Sequence, residues 1–235
     1  MKCIPVFFAV AASFILLSAY KENNANRNPS RPNSKPNIIF ILTDDQRWDA
    51  LGFAGNPIIK TANIEGLARG GIYFKNAFAS TPICAASRAS LFTGLYERTH
   101  DYTFGKLPLS NQYMLESYPY LLRKAGYQTG FVGKFGVKVN KGIESAMFSV
   151  SKQTAWPYIK EIDGKKIHLA DINGNHAIDF IQSNKDQPFC LSLSFWSPHA
   201  DDDSKEQYFW PSYCDSLYTD ARIPVPSTAD PAFFN

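Results

Sequence analysis

The sequence predicts an α/β fold in which a mostly parallel β-sheet is sandwiched between helices. Its strand-like segments are largely continuous apolar runs, which is typical of strands that are covered on both faces. Segments with helical periodicity separate these runs, and a strand–helix–strand order favours parallel pairing. The predicted strands are 37–42, 127–132 and 188–196, and the predicted helices include 61–69, 118–125 and 169–182.

The composition is that of an ordinary globular protein. The chain has 235 residues, of which 45% are hydrophobic and 19% are charged, enough for one large domain or two small ones. The net charge of +3 is small, and the basic residues are scattered along the chain. We therefore expect no nucleic-acid partner, because proteins that bind nucleic acids concentrate basic residues in a patch or stripe.

The first 36 residues differ in character from the rest of the chain. Residues 1–20 are predicted to be a signal peptide, because Lys2 precedes an apolar run that ends in small residues. Residues 21–36 are rich in Asn, Pro, Ser and Arg, which predicts a disordered linker. The signal is similar to that of a bacterial lipoprotein, but Tyr20 stands where the lipidated cysteine would be. We expect an exported protein, periplasmic or secreted, without a stable membrane anchor.

Polar side chains follow each of the three predicted strands. Asp44 and Asp45 come after the first strand, Lys134 after the second and His199 after the third. Because ligand sites in open α/β sheets lie at the carboxyl ends of the strands, these residues predict one shared site. Adjacent carboxylates suit Ca²⁺ or Mg²⁺, and a lysine between glycines suits an anion. Taken singly, the residues also fit a helix N-cap, a solvated loop lysine and a hydrogen-bonding loop histidine.

Cys84 lies where a loop is predicted to open into a helix, and Arg88 follows one turn later. Free backbone N–H groups and the positive end of the helix dipole gather at such a position, which suits attack on a phosphate or sulfate group. The alternative is a small apolar cysteine packed beneath a helix. A disulfide between Cys190 and Cys214 is also open, and it would leave Cys84 unpaired in an oxidising compartment.

No functional site is predicted in three other segments. Residues 142–167 are polar and irregular, with a hairpin-like turn at Asp163 and Gly164. Residues 171–175 briefly resemble a calcium loop, but the glycine and the closing residue are wrong for one. The acidic run 201–203 is expected to be a solvated charge run.

From about Pro36 to His199 the chain resembles the type I sulfatases of the alkaline phosphatase superfamily. Residues 37–45 are similar to the family's opening strand and metal-binding acid pair, and Cys84-Ala85-Ala86-Ser87-Arg88 is similar to its Cys-x-Pro-or-Ala-Ser-Arg signature. The Gly-Lys pair at 133–134 and the Pro-His pair at 198–199 also resemble family motifs. The resemblance implies that residues 37–235 are the N-terminal part of a sulfatase catalytic domain.

The resemblance also implies a mechanism. A formylglycine-generating maturation enzyme converts Cys84 to an aldehyde, whose hydrate attacks the sulfur of a sulfated small molecule or glycan. Asp44, Asp45 and the modified Cys84 bind the cation, which is Ca²⁺ with Mg²⁺ as an alternative. Arg88 and Lys134 stabilise the diol and the sulfate, and His199 acts at the leaving alcohol. The implied catalytic set is therefore the nucleophile Cys84 together with Arg88, Lys134 and His199.

The chain departs from the family pattern in two ways. The family loop often has a histidine two residues after the lysine, where this chain has Gly136. Family members also run to roughly twice this length and contribute further metal ligands beyond the His199 motif, so the chain is expected to be truncated at its C-terminus. A non-catalytic remnant that retains the fold or binds a sulfated ligand is therefore an alternative. A thiol hydrolase built on Cys84 and His199 is a weaker one.

Overall fold

A four-stranded sheet lies at the centre of the computed structural model, which describes residues 35–224. The predicted signal peptide, residues 1–20, lies outside the described residues, as does the predicted linker apart from its last two residues. The strands are β1 (Ile38–Leu42), β2 (Gln128–Gly133), β3 (Val150–Gln153), β4 (Ile159–Ile162), β5 (Lys165–His168) and β6 (Phe189–Ser194). The helices are α1 (Ala62–Gly70), α2 (Cys84–Thr93), α3 (Glu97–His100), α4 (Asn111–Met114), α5 (Tyr118–Lys124), α6 (Ile143–Met147) and α7 (Leu169–Asn184), with short 3₁₀ turns at Gly52–Ala54 and Ser212–Cys214.

The central sheet is parallel throughout, in the order β1-β6-β2-β3. Its register sets Leu42 opposite Ser194, and Ser194 opposite Gly133. The last residues of β1, β6 and β2 therefore lie side by side, and the loops that follow them leave from one edge. This alignment gives residues that are distant in sequence a common location.

Helices cover both faces of the sheet because the central strands are apolar on both sides. On β2, Phe131 joins a buried cluster with Ala89 and Phe92 of α2, while its neighbour Val132 joins a second cluster with Phe180 of α7. Successive side chains of a strand point to opposite faces, so one strand serves both clusters. The predicted α/β sandwich is confirmed.

The edge strand β1 has a partner on one side only within residues 35–224. Its side chains Ile39 and Ile41 are about half exposed, and α1 buries none of its residues. The part of the sheet next to the acid pair at 44–45 is therefore open.

The predicted strands and helices appear with shifts of a few residues at their ends. The segment 142–167, predicted to be irregular, instead contains α6, β3 and the antiparallel hairpin β4–β5. The predicted turn does close that hairpin, and Asp163 and Gly164 both have positive φ, at 51° and 72°. Two central residues with positive φ are what a type I′ hairpin turn needs.

The structure also bears on the predictions for residues 171–175, for the acidic run 201–203 and for the cysteines. Residues 171–175 lie inside α7, in agreement with the rejection of a calcium loop. The solvated-run prediction was wrong for Asp201, which is buried and whose backbone N–H donates to the Gln207 carbonyl oxygen at 2.6 Å. Cys190 and Cys214 are both free, so the possible disulfide is not formed. Across residues 35–224, no helix has both the length and the apolar character that crossing a membrane requires.

Candidate active site

The acid pair after β1 consists of one buried and one exposed carboxylate. Asp44 is only 5% exposed, and its backbone N–H donates to the Ser197 carbonyl oxygen at 3.3 Å. Asp45 has a φ of 57°, and its side chain is 63% exposed. The two acids therefore have different surroundings, although they are adjacent in sequence.

Lys134 lies beside Asp44 because the backbone at residues 133–134 packs closely against the last residue of β6, Ser194. Gly133 has a φ of +101°, and a Cβ atom there would lie 1.8 Å from the Ser194 carbonyl oxygen, so only glycine fits. The next residue, Lys134, donates its backbone N–H to that same oxygen at 2.9 Å. Its ammonium group pairs with Asp44 Oδ2 and lies 4.7 Å from the centre of the Trp196 ring.

Cys84 is the first residue of α2, where the leading backbone N–H groups have no partner within the helix. It is partly buried and lines an open cavity of about 220 Å³. Asp44, Asp45, Ser87 and Arg88 line the same cavity. The predicted nucleophile, acid pair and arginine therefore share one site.

Arg88 is buried, and its guanidinium group is anchored at one end only. Nη1 donates to the Lys134 carbonyl oxygen at 2.7 Å and to Ser194 Oγ at 2.5 Å, while Nη2 lies 3.6 Å from Asp44 Oδ2. Burial lowers the pKa of Arg88, and the Asp44 carboxylate opposes that shift. Nε and Nη2 are buried without a hydrogen-bond partner in the described structure. Because a buried unpaired donor is costly, these two nitrogens suit an anionic ligand.

His199 completes the set on the side of Asp45. Its Nε2 lies 3.6 Å from Asp45 Oδ2, and its Nδ1 lies 2.5 Å from the Ala200 carbonyl oxygen, which assigns the Nδ1 proton to that contact. The Tyr158 hydroxyl lies 2.5 Å from the His199 carbonyl oxygen. Burial raises the pKa of Tyr158 to about 12, so this hydroxyl stays a donor at neutral pH. The acidic side chain nearest to His199 Nε2 in this contact is therefore Asp45.

All six predicted site residues thus lie at the carboxyl edge of β1, β2 and β6 or at the start of α2. Three further residues that support them were not predicted, namely Ser194 beneath Arg88, Trp196 beside Lys134 and Tyr158 behind His199. Ser194 and Trp196 belong to the segment predicted only as a strand. Tyr158 belongs to the segment predicted as irregular, and nothing in its local sequence marks a contact with His199.

Asp44 and Asp45 bring oxygen donors of the kind that Ca²⁺ takes, and they line the same cavity as Cys84. They fit such a cation in kind but do not complete its ligand set, which is about six to eight oxygens. Asp44 is already paired with Lys134 and Arg88. Within residues 35–224, no group of three or more His, Cys, Asp or Glu side chains is arranged to hold a metal ion.

Known proteins match this chain over most of its length. The family model named Sulfatase matches residues 36–227. An ulvan-active sulfatase of Formosa agariphila is 28% identical, over 87% of this chain and 43% of its own length. An N-acetylglucosamine-6-O-sulfatase of Bacteroides thetaiotaomicron is 31% identical, over 73% of this chain and 32% of its own length.

Solved structures share the fold. BT4656, solved with its substrate D-glucosamine-2-N,6-O-disulfate, has a TM-score of 0.68 and 26% identity, and the match covers 83% of this chain and 40% of that one. Ps i-CgsB, solved with a neocarrahexaose, has a TM-score of 0.62 and 26% identity, over 74% of this chain and 47% of that one. The chain thus spans less than half the length of these relatives. The family model, the curated relatives and the shared fold agree, and this chain belongs to the sulfatase family.

Proposed function

We propose that residues 37–235 are the N-terminal part of the catalytic domain of a sulfuric ester hydrolase, and that its substrate is a sulfated carbohydrate. One observation carries the proposal: Cys84 shares its cavity with Asp44, Asp45 and Arg88, and two buried donors of Arg88 have no hydrogen-bond partner within residues 35–224. The substrate class is supported by an ulvan-active sulfatase among the relatives and by the structural neighbour BT4656, which was solved with a disulfated glucosamine as its substrate.

The proposed nucleophile is the hydrated aldehyde made from Cys84 by a formylglycine-generating maturation enzyme. One hydroxyl of the hydrate attacks sulfur, the bond from sulfur to the alcohol oxygen breaks, and the alcohol leaves with a proton. The second hydroxyl then gives up its proton, re-forms the aldehyde and expels sulfate, and water hydrates the aldehyde again. An unmodified thiol would stop at the first step, because a thiosulfate ester has no second hydroxyl to expel the sulfate.

The other residues have roles that follow from their positions. The Nε and Nη2 donors of Arg88, which make no hydrogen bond within residues 35–224, bind the anionic group next to the nucleophile. Lys134 adds positive charge beside Asp44, and such fixed charges stabilise a transition state without reorganisation. His199 is the proposed proton donor to the leaving alcohol, because its Nδ1 is committed to the Ala200 carbonyl oxygen and its Nε2 is left for acid–base exchange.

Asp44 and Asp45 would hold part of the shell of a divalent cation, proposed to be Ca²⁺ with Mg²⁺ as the alternative. When bound, such a cation supplies positive charge for the sulfate oxygens and lowers the pKa of a bound hydroxyl. The remaining ligands would come from water, from the substrate or from polypeptide outside residues 35–224. With two carboxylates in the cavity, we expect weak binding, at Ca²⁺ concentrations of about 10⁻⁴ M or above.

The proposed location is outside the cytoplasm, in the periplasm or secreted, because residues 1–20 have the pattern of a signal peptide. A sulfated extracellular glycan would be accessible there.

A second candidate function is favoured by the incomplete cation site. On this alternative, the 235-residue chain retains the fold, or binds a sulfated ligand, without turnover. The alternative is separated from the first proposal by measuring catalysis.

The test is hydrolysis of 4-nitrophenyl sulfate by the chain co-expressed with a maturation enzyme, with CaCl₂ varied up to the millimolar range. We expect slow hydrolysis that requires Ca²⁺ and disappears in Cys84→Ala. Cys214→Ala is the matched control, since Cys214 is another free, partly buried cysteine. Binding of the aryl sulfate without hydrolysis would favour the second candidate, and hydrolysis that survives Cys84→Ala would contradict the first.

A further inference from the structure

Gly136 lies directly against the side chain of Arg88. A Cβ atom at residue 136 would be 2.6 Å from Arg88 Cδ and 3.1 Å from Arg88 Nε. Contacts between carbon atoms are optimal at about 3.5–4.0 Å, so a methyl group at 136 requires a displacement of about 1 Å. The backbone at Gly136 also has a φ of +67°, which favours glycine.

Neither side of this contact can move freely. Phe135 and Val137, on either side of Gly136, are buried in the aromatic cluster beneath α2. Arg88 is 3% exposed and is fixed by the two hydrogen bonds of Nη1. A shift of about 1 Å in its stem would stretch those bonds, which now measure 2.7 and 2.5 Å, beyond hydrogen-bonding distance.

We propose that Gly136 is a positioning residue for Arg88. Because residue 136 has no side chain, the Arg88 side chain has room to run beside it. Its Nη1 then reaches Ser194, while Nε and Nη2 make no hydrogen bond within residues 35–224. Gly136 itself is exposed, and it has no side chain with which to contact a ligand. It acts on the site only through Arg88.

The test uses Gly136→Ala with Gly164→Ala as a matched control. Gly164 has a similar φ of +72°, but a Cβ atom there would meet nothing within 4 Å. The control therefore introduces the same backbone strain without the collision. Gly164 lies in the turn of the β4–β5 hairpin, away from the arginine.

The first readout is the Nε–H resonance of Arg88 in the ¹⁵N-labelled 235-residue chain, assigned by its loss in Arg88→Lys. We expect Gly136→Ala to shift this signal and to speed its exchange with water at least tenfold, while Gly164→Ala leaves it in place. If the signal of folded Gly136→Ala coincides with that of the wild type, Gly136 does not position Arg88 and the proposal fails.

Should Gly136→Ala fail to fold, the second variant is Gly136→Ala with Arg88→Ala, which removes the colliding Cδ. We expect this double variant to recover a dispersed amide spectrum. Arg88→Ala alone is the reference, because it removes the ion pair with Asp44 without adding the methyl group. If the double variant is less ordered than Arg88→Ala alone, Arg88 is not what the new methyl group meets, and the proposal fails.

The second readout is the affinity for inorganic sulfate, and it alone rests on the proposed function. We expect Gly136→Ala to weaken sulfate binding by roughly ten- to a hundredfold, which corresponds to losing one charged hydrogen bond. In an Arg88→Ala background the same change should have no further effect, whereas equal effects in both backgrounds would contradict the proposal. A wild-type chain that binds no sulfate would count against the proposed function, and the Arg88 resonance would still decide the role of Gly136.

Discussion

Replacing Asp44 with asparagine removes the negative charge that two buried cations share. The Asp44 carboxylate pairs with Lys134 and with Arg88, and the three side chains are 6%, 8% and 4% exposed. At the 3.6 Å between Arg88 Nη2 and Asp44 Oδ2, the Coulomb energy at an effective dielectric constant of about 20 is about 4–5 kcal/mol. Removing one partner of a buried pair lowers stability by about 3–5 kcal/mol, because the remaining charge is left uncompensated. We expect Asp44→Asn to lower the free energy of unfolding by about 3 kcal/mol or more.

The assay is urea unfolding followed by circular dichroism at pH 7, with Asp45→Asn as the control. Asp45 loses the same charge one residue later, but its side chain is 63% exposed and its ion-pair partner, His199, lies 3.6 Å away. Exposed pairs are worth about 0–1 kcal/mol, so we expect a change within that range for Asp45→Asn. If the two variants lose equal stability, the buried three-residue charge cluster does not stabilise the fold as reasoned.

Three further predictions concern other parts of the structure. Burial lowers the pKa of His100, so the unfolded chain takes up the proton more readily than the folded chain below about pH 6.5. The free energy of unfolding should therefore fall as the pH falls from 6.5 to 5.5, by at most about 1.4 kcal/mol for this group. Urea unfolding at several pH values measures this profile, and His100→Asn should flatten it. Gly133→Ala places a Cβ atom 1.8 Å from the Ser194 carbonyl oxygen, and we expect loss of the cooperative urea transition. An unfolding midpoint equal to that of the wild type would contradict the close approach of residue 133 to the end of β6. Tyr158→Phe removes the hydroxyl contact with the His199 carbonyl oxygen and should lower the free energy of unfolding by about 1 kcal/mol, whereas unchanged stability would show that this contact contributes nothing.

The strongest sequence signals predicted the part of the fold that positions the site. The runs that became β1 and β6 are mostly apolar, and these two runs and β2 are bounded by turn residues, so their type and their carboxyl ends were evident without tertiary information. The strand β3 was missed because its four residues, Val150–Gln153, are exposed and mostly polar. What makes it a strand is its pairing with β2, which is a tertiary contact that local sequence does not encode.

The grouping of the site residues was predictable, but their individual surroundings were not. The position of Asp44, Lys134 and His199 after strands indicated a common edge. Nothing in the sequence indicated that Asp44 would be buried between two cations while Asp45 faces outward, because that difference arises from the positive φ at Asp45 and from the loops packed over the strand ends. The role of Gly136 depends in the same way on its contact with Arg88, which belongs to a segment far from it in the sequence.

The central claim is that Cys84 is the precursor of the nucleophile, and the mass of the peptide that contains it tests this claim most directly. The chain would be expressed with a formylglycine-generating enzyme, denatured, treated with iodoacetamide and digested. We predict that Cys84 is found as the aldehyde or its hydrate and takes up no label, while Cys214 in the same sample is fully carbamidomethylated. A carbamidomethylated Cys84, under conditions in which a known substrate of the maturation enzyme is converted, would contradict the claim.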